Sequence, residues 1–341
     1  MTRVLARAPG RVNLIGDHTD YTGGWVLPMA IELATTVEFR PGGAAVTLES
    51  DHQPEAATVA LDIDLAAAAT CRPRWARFVA GVVAVLRPDT GGTGSVTTTL
   101  PVGAGLSSSS ALTVAVALAL GFRGPPLELA RLCQRAEQAG SGVPGGIMDQ
   151  LCSAAAEPGA ALLIDCRSLV TAAVPIPEGC EVIVAHSGEA RELSRSAYAQ
   201  RRQECEQVEA VVGPLRDAKP ADLGRIADPV LQRRARHVVG ENQRVVEAAT
   251  LMRRGDGAGA GALMTASHRS LAEDFEVSTP ALDQLVEVLL AAPGVWGARL
   301  TGAGFGGCVV ALAEAGAWAA GALPGRVVAP SGGATVETLE A

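Results

Sequence analysis

Three segments of the 341-residue chain carry residue types that could do chemistry. In LPVGAGLSSSSAL, from Leu100 to Leu112, Gly103, Ala104, Gly105 and Leu106 lead from an extended run into the serines Ser107, Ser108, Ser109 and Ser110. Small residues let backbone amides close on an anion, a helix N-terminus attracts it, and hydroxyls donate to it or ligate a metal. The pattern is a phosphate cradle without a lysine. The same spacing also describes a serine-capped helix after an ordinary glycine turn. It does not match the G-x-S-x-G of a serine hydrolase.

The second segment brackets the loop QAGSGVPGGIM with Glu137 and Asp149. Phosphoryl transfer needs a Mg²⁺ ligand beside the phosphates and a carboxylate close to the acceptor hydroxyl, and one helix-end Glu with one loop Asp can supply both. A surface Glu and a helix-capping Asp would look the same in sequence. The third, APGRVNLIGDHTDY from Ala8 to Tyr21, crowds Arg11, Asp17, His18, Asp20 and Tyr21 between glycines. Such acceptors and donors suit the adjacent hydroxyls of a polyol, and they also suit a solvated turn. His18 and Asp20 lack a further histidine at zinc-ligand spacing. A fourth run, Gly302 to Gly307, matches G-x-G-x-x-G by letter, but the CVVAL after it reads as a strand, whereas dinucleotide binding requires a helix there. A tight turn between strands fits better, with backbone free to approach a ligand or another loop.

These segments need positioning elements, and the pattern supplies alternating strands and helices. TRVLARA and WVLPMAIELATTVEFR read as strands, RWARFVAGVVAVLR as a helix, SVTTTLPV as a strand, and the serine run opens a helix. LELARLCQRAEQA follows Pro125 and Pro126 and stops at Gly140, a short helix runs from Met148 to Ala156, and ALLIDCRSL is a strand. Beyond Cys180 come the strand EVIVAHS, a long charged helix from Arg191, further helices, and the strand pair around the last glycine run. TAAVPIPEG reads as a connector, which divides the chain into 1–174 and 175–341 with mixed α+β architecture.

Composition narrows the function. Hydrophobic residues make up 48% and charged residues 19%, so the chain can bury a large core. A formal charge of -8 offers no basic surplus for nucleic acid or an anionic membrane. Lys219 is the only lysine among 28 basic residues, and it stands in a polar stretch. That excludes a P-loop, a protein-kinase lysine and a pyridoxal Schiff base. The seven cysteines form no C-x-x-C and read as reduced thiols. The N-terminus lacks a signal-peptide core and no run is long enough to span a membrane, so the expectation is a cytoplasmic protein.

Taken in order, APGRVNLIGDHTDYTGGWVLP, LPVGAGLSSSSA, PGGIMDQ and LTGAGFGGC resemble the motifs of the GHMP small-molecule kinases, and the first is similar to the galactokinase signature within that family. The resemblance covers most of the chain. It implies an N-terminal domain similar to ribosomal S5 domain 2, a C-terminal ferredoxin-like (split β-α-β) domain, and an active site in the cleft between them. It further implies a monomer that uses ATP and Mg²⁺ to phosphorylate the anomeric hydroxyl of a sugar such as galactose. By the same resemblance Gly103 to Ser109 wrap the ATP phosphates, Trp75 lies near the adenine, and Ser109 and Glu137 hold Mg²⁺. Asp149 and Arg11 are the catalytic pair, and Asp17, His18, Asp20, Gly146 and Tyr198 bind the sugar. Three positions depart from the family pattern. Asp17 replaces a usual Glu that reaches the sugar's 6-hydroxyl, Gly140 replaces an aromatic residue, and Arg191 stands where relatives often carry His. The Asp17 departure motivates a related sugar or cyclitol as the alternative acceptor, such as N-acetylgalactosamine or a 6-modified galactose; a non-catalytic sugar and ATP sensor is the other alternative.

Overall fold

The computed structural model describes residues 3–101, 103–189 and 194–340; Arg191 lies outside them. Strand β1 (Arg3–Asn13) leads through a 3-10 turn (Asp20–Thr22) and the short β2 (Trp25–Val26) to β3 (Pro28–Pro41), followed by the hairpin β4 (Ala45–Ser50) and β5 (Gln53–Ala60). Helices α1 (Leu65–Ala68) and α2 (Ala76–Leu86) precede β6 (Gly92–Thr98), α3 (Ser108–Ala119), α4 (Pro126–Ser141), α5 (Met148–Ala155), β7 (Ala160–Asp165) and β8 (Thr171–Pro175). Next come β9 (Cys180–His186), α6 (Ser194–Val212), α7 (Pro229–Arg253), α8 (Gly257–Glu273), α9 (Pro280–Leu290), β10 (Val295–Thr301) and β11 (Cys308–Glu314). The chain ends with α10 (Ala317–Gly321), β12 (Arg326–Val328) and β13 (Thr335–Leu339).

The strands form three sheets. A six-stranded sheet has the order β13-β1-β3-β6-β4-β5, with β4 and β6 parallel and the remaining pairs antiparallel. A four-stranded antiparallel sheet runs β10-β11-β9-β12, and β2-β7-β8 form a third. Helices packed on these sheets give the mixed α+β architecture expected from the sequence. Strand β13 returns from the C-terminal segment to pair with β1, Val4 opposite Thr338, so the last strand closes the first sheet.

Helix α3 explains how the serine run is held. Its sequence, SSSALTVAVALA, is apolar nearly all round, and such a helix must be buried on every side. It packs on β1 and β3 on one side and on α2, α4 and α5 on the others. That pins its N-terminus in one place.

Helix α4 starts at its Pro126 and ends at Gly142 in a left-handed conformation (φ 73°), two residues past the Gly140 stop predicted from sequence. Gly140 is helical because α2 crosses it closely: a Cβ there would lie 2.7 Å from the Arg77 carbonyl oxygen. Gly81 of α2 makes the reciprocal approach, with a Cβ position 2.2 Å from the Ala136 carbonyl oxygen. An aromatic side chain at position 140 has no room in this crossing. All seven cysteines are free thiols, and no helix among the described residues is long and apolar enough to cross a membrane.

Candidate active site

A cavity of about 300 Å³ opens where the sheets and helices meet, lined by Arg11, Asp20, Ser109, Glu137, Asp149 and Tyr198 among others. Arg11 enters it from β1 just past a register shift, where Pro9 to Arg11 lie opposite Ala34 to Ala30 and the extra residues are on β3. Gly10 lets the glycine-serine loop approach β1, since a Cβ there would meet the Leu106 carbonyl oxygen at 2.6 Å. The Arg11 amide donates to that same carbonyl at 3.2 Å, which stitches the glycine-serine loop to β1.

The Arg11 guanidinium donates to both Asp149 oxygens, from Nε at 2.8 Å and from Nη2 at 2.5 Å, and from Nη1 to the Gly105 carbonyl at 2.7 Å. This two-pronged geometry fixes both planes. Burial works against the charge on Arg11, yet Asp149 and Asp17 hold its pKa above the ordinary value. Asp149 sits in the first turn of α5, with Ile147 as the cap residue, so it is not the helix cap. Its Oδ2 also accepts the Ser107 hydroxyl.

Ser107 therefore does not cap α3 by its side chain. It precedes the helix with φ 58°, and Gly103 (φ 79°) and Gly105 (φ 81°) share that left-handed region. The loop curls around the start of α3, whose first amides have no side-chain cap and point toward an incoming anion. Nothing lies within 4 Å of a Cβ built on Gly103, so the loop has an open side.

Ser109 in the first turn of α3 donates to Glu137 Oε1 on α4, and Ser110 donates to Glu137 Oε2 at 2.8 Å. Gln150, next to Asp149 on α5, donates to the same Oε2 at 2.7 Å. Burial raises the Glu137 pKa, opposed by the serine and glutamine hydrogen bonds. Among the described residues no group of three His, Cys, Asp or Glu could hold a metal. The Ser109 hydroxyl and the Glu137 carboxylate nevertheless fit Mg²⁺, which takes one or two protein oxygens and completes its shell with phosphates and water. The Ser110 and Gln150 donors orient that carboxylate.

Asp17 is 2% exposed; its Oδ1 accepts the Gly302 amide at 3.1 Å and its Oδ2 lies 2.7 Å from Arg299 Nη2, a close ion pair without hydrogen-bond alignment. His18 uses both ring nitrogens inside the protein, with Nδ1 3.0 Å from the Tyr21 hydroxyl and Nε2 3.1 Å from the Ala303 carbonyl. Burial, with the neighbouring His237, lowers its pKa to about 3. A neutral ring donating from Nε2 and accepting at Nδ1 satisfies both contacts.

Asp17, His18 and Asp20 all line the cavity, and Asp20 does so beside Gly146, where a Cβ would fall 1.7 Å from its Oδ2. Burial, reinforced by the Asp149 charge, raises the Asp20 pKa to about 7. Tyr198 of α6 packs edge-on against Tyr21, with ring centroids 5.5 Å apart, and burial holds its phenol neutral.

Trp75 is not among the residues lining the cavity, and neither are Gly103 to Ser108, of which Ser107 reaches Asp149 by its side chain. Trp75 is 9% exposed at the start of α2, and its indole N–H donates to the Glu55 carbonyl at 3.0 Å. Phe78, one turn further along α2, lines the cavity in its place. Ser110, Gln150 and Phe78 are contacts that sequence reasoning missed, as is Arg299, fully buried in β10. A lone arginine inside VWGARLT was the available signal, because an unpaired charge is almost never fully buried.

The galactokinase galactose-binding signature matches residues 2–41, and the GHMP kinase N-terminal and C-terminal domains match 77–157 and 248–322. Galactokinase of Homo sapiens is 44% identical over 327 residues, covering 91% of this chain and 83% of its own length. Galactokinase of Chloroflexus aggregans is 42% identical over 337 residues, with 91% and 84% covered. The crystal structure of Lactococcus lactis galactokinase complexed with galactose superposes with a TM-score of 0.89 at 30% identity, covering 98% of this chain and 95% of that one. A cavity built from these motifs, at these identities and over this much of the chain, makes the protein a kinase that belongs to the galactokinase family.

Proposed function

We propose that this chain transfers the γ-phosphoryl group of ATP to the C1 hydroxyl of galactose, giving α-D-galactose 1-phosphate and ADP, with Mg²⁺ as its metal. One observation carries the reading: the Arg11–Asp149 pair lies in a single cavity with Asp20 and Tyr198 on one side and Ser109 and Glu137 on the other. An acceptor hydroxyl and a nucleotide phosphate could therefore meet at Asp149.

In this mechanism Asp20, Tyr198 and the Gly146 backbone hold the sugar, and Asp149 accepts the hydrogen bond of the C1 hydroxyl and aims its oxygen. As the oxygen–phosphorus bond forms and the bond to ADP breaks, the hydroxyl proton passes to Asp149; in a loose phosphoryl-transfer transition state that proton moves late. Arg11 holds Asp149 and stands beside the charge that develops on the transferring group. The loop from Gly103 to Ser108 and the α3 N-terminus face the phosphates with backbone amides. Ser109 and Glu137 would hold Mg²⁺, which supplies charge neutralisation at the phosphates when bound. Asp17 and His18 line the sugar side of the cavity and anchor the Gly302–Ala303 turn to the sugar motif.

We take 1–174 and 175–341 as the two domains, both of which supply residues to the cavity, with the cut falling at the end of β8 and β13 returning to the first sheet. We assign the protein to the cytoplasm as a monomer on the same reading. The test is ADP release with Mg²⁺ across galactose, N-acetylgalactosamine, fucose, arabinose and glucose. Galactose should give the highest kcat/KM. Inert galactose beside another active acceptor would contradict the assignment.

A further inference from the structure

We propose that Arg202 is a positioning residue for sugar binding: it clasps the loop between α4 and α5 to helix α6 and so closes the sugar side of the cavity. The proposal rests on the kinase reading above.

The argument starts from helix geometry. Tyr198 and Arg202 are four residues apart on α6 and share one face. Tyr198 lines the cavity, with its phenol toward the Gly146 amide. Arg202 extends from the same face and donates from Nη1 to the Pro144 carbonyl at 2.6 Å. A guanidinium–carbonyl bond of this length is charge-assisted and stronger than a neutral one. Its other contacts fix the side chain: Nε donates to Glu206 at 3.0 Å, and the guanidinium lies 5.9 Å from the centre of the Tyr21 ring.

The loop's other hydrogen bonds run within itself or back to α4: the Val143 amide donates to the Ser141 hydroxyl at 3.1 Å and the Gly145 amide to the Val143 carbonyl at 3.0 Å. Gly142 and Gly145 have nothing within 4 Å of a built Cβ, and Gly142 is left-handed. Gln134 and Gln138 of α4 donate to the Gly145 carbonyl at 3.2 and 3.0 Å, which ties the loop to the helix it leaves. Arg202 ties it to the opposite wall. The same loop joins the helix of Glu137 to the helix of Asp149, and its Gly146 lies against Asp20. A loop free to move away from α6 would withdraw the backbone that shapes the pocket around Asp20 and Tyr198. The chemistry at Asp149, held independently by Arg11 and Ser107, would remain.

The test compares Arg202→Met and Arg202→Lys with the parent protein by hydrogen–deuterium exchange without sugar, and by steady-state kinetics. Arg202→Met should speed exchange at the Val143, Gly145 and Gly146 amides and raise KM for galactose about tenfold, the size of one lost charge-assisted bond. kcat and KM for ATP should stay within about twofold, a split that general destabilisation does not produce. Arg202→Lys, which keeps a donor, should recover most of the sugar KM. Unchanged exchange at those amides overturns the clasp, as does an unchanged KM for galactose or a common loss of kcat, both KM values and Tm. If the parent protein consumes no ATP with galactose, the substrate reading fails, and the exchange result alone decides the clasp.

Discussion

Arg11 and Asp149 stand 138 residues apart in the chain and meet through two parallel hydrogen bonds at 2.8 and 2.5 Å. β1 presents one partner just past its register shift with β3, and the first turn of α5 holds the other. Removing either should leave the fold and disable the reaction. Asp149→Asn and Arg11→Met are expected to lower kcat by roughly 10³-fold or more, with ATP binding retained, because aiming and charge stabilisation supply most of phosphoryl-transfer catalysis. Single-turnover assays with a parallel measurement of nucleotide affinity check this. A variant with near-parental kcat contradicts the roles assigned.

The Asp17–Arg299 ion pair makes a stability prediction. Arg299 also lies 3.9 Å from Glu241 and donates to the Asn13 carbonyl at 3.1 Å, all in the interior. Burial works against charge on Glu241, but Arg244, His237 and Arg299 together bring its pKa down to about 2. Arg299→Met leaves the buried Asp17 without its cation, while Glu241 keeps Arg244 at 2.7 Å, and should cost about 3–5 kcal/mol. Adding Asp17→Asn should recover part of that loss. Denaturant titrations of the two single variants and the double variant measure the coupling, and purely additive losses would argue against a direct pair.

Asp20 ties stability and sugar affinity to pH in opposite senses. Its carboxyl rises from the ordinary 3.8 to about 7 in the folded protein, so between about pH 4 and 7 the folded state binds more protons than the unfolded state. Stability from this group is full below pH 4 and lost as pH rises toward 7. Asp20→Asn should therefore raise Tm relative to the parent at pH 8 and leave it little changed at pH 4. Sugar affinity runs the other way, since only the ionised carboxylate accepts from two hydroxyls: KM for galactose should rise as pH falls below 7. Equal Tm differences at both pH values would show that Asp20 titrates normally.

Glu137 gives a metal-specific prediction. Glu137→Gln keeps the Ser110 contact through its amide oxygen but removes the negative charge offered to Mg²⁺. The Mg²⁺ concentration for half-maximal activity should rise by about tenfold or more while the KM for galactose changes little. An unaltered Mg²⁺ titration would remove Glu137 from the metal site.

The parts legible in sequence were those written in short, contiguous segments. The glycine-serine run, the strand before it and the helix after it are local patterns, and the structure realises each of them. The last glycine run is the turn between β10 and β11 that its letters suggested, approached by Asp17 and His18 from a loop nearly three hundred residues earlier. That approach was invisible beforehand, because neither segment's periodicity encodes its distant partner.

His18 shows the limit most clearly. A histidine between two aspartates reads as a ligand for a polyol, and His18 does line the cavity, but no local pattern announces the Tyr21 hydroxyl and Ala303 carbonyl that its ring nitrogens also engage. Trp75 is likewise placed by its packing at the start of α2, where β5 offers its indole a carbonyl. The strands β4, β5 and β13 were also missed, since their burial depends on neighbours that only the assembled sheet supplies.

The central claim is that the cavity presents the C1 hydroxyl of galactose to the γ-phosphate of ATP beside Asp149. The most direct measurement is phosphorus NMR of the product formed from ATP, Mg²⁺ and galactose. The account expects a single new sugar phosphate at C1 in the α configuration, formed with equimolar ADP and absent with Asp149→Asn. A phosphate on any other carbon, or C1 phosphate formed at the parental rate by that variant, would contradict it.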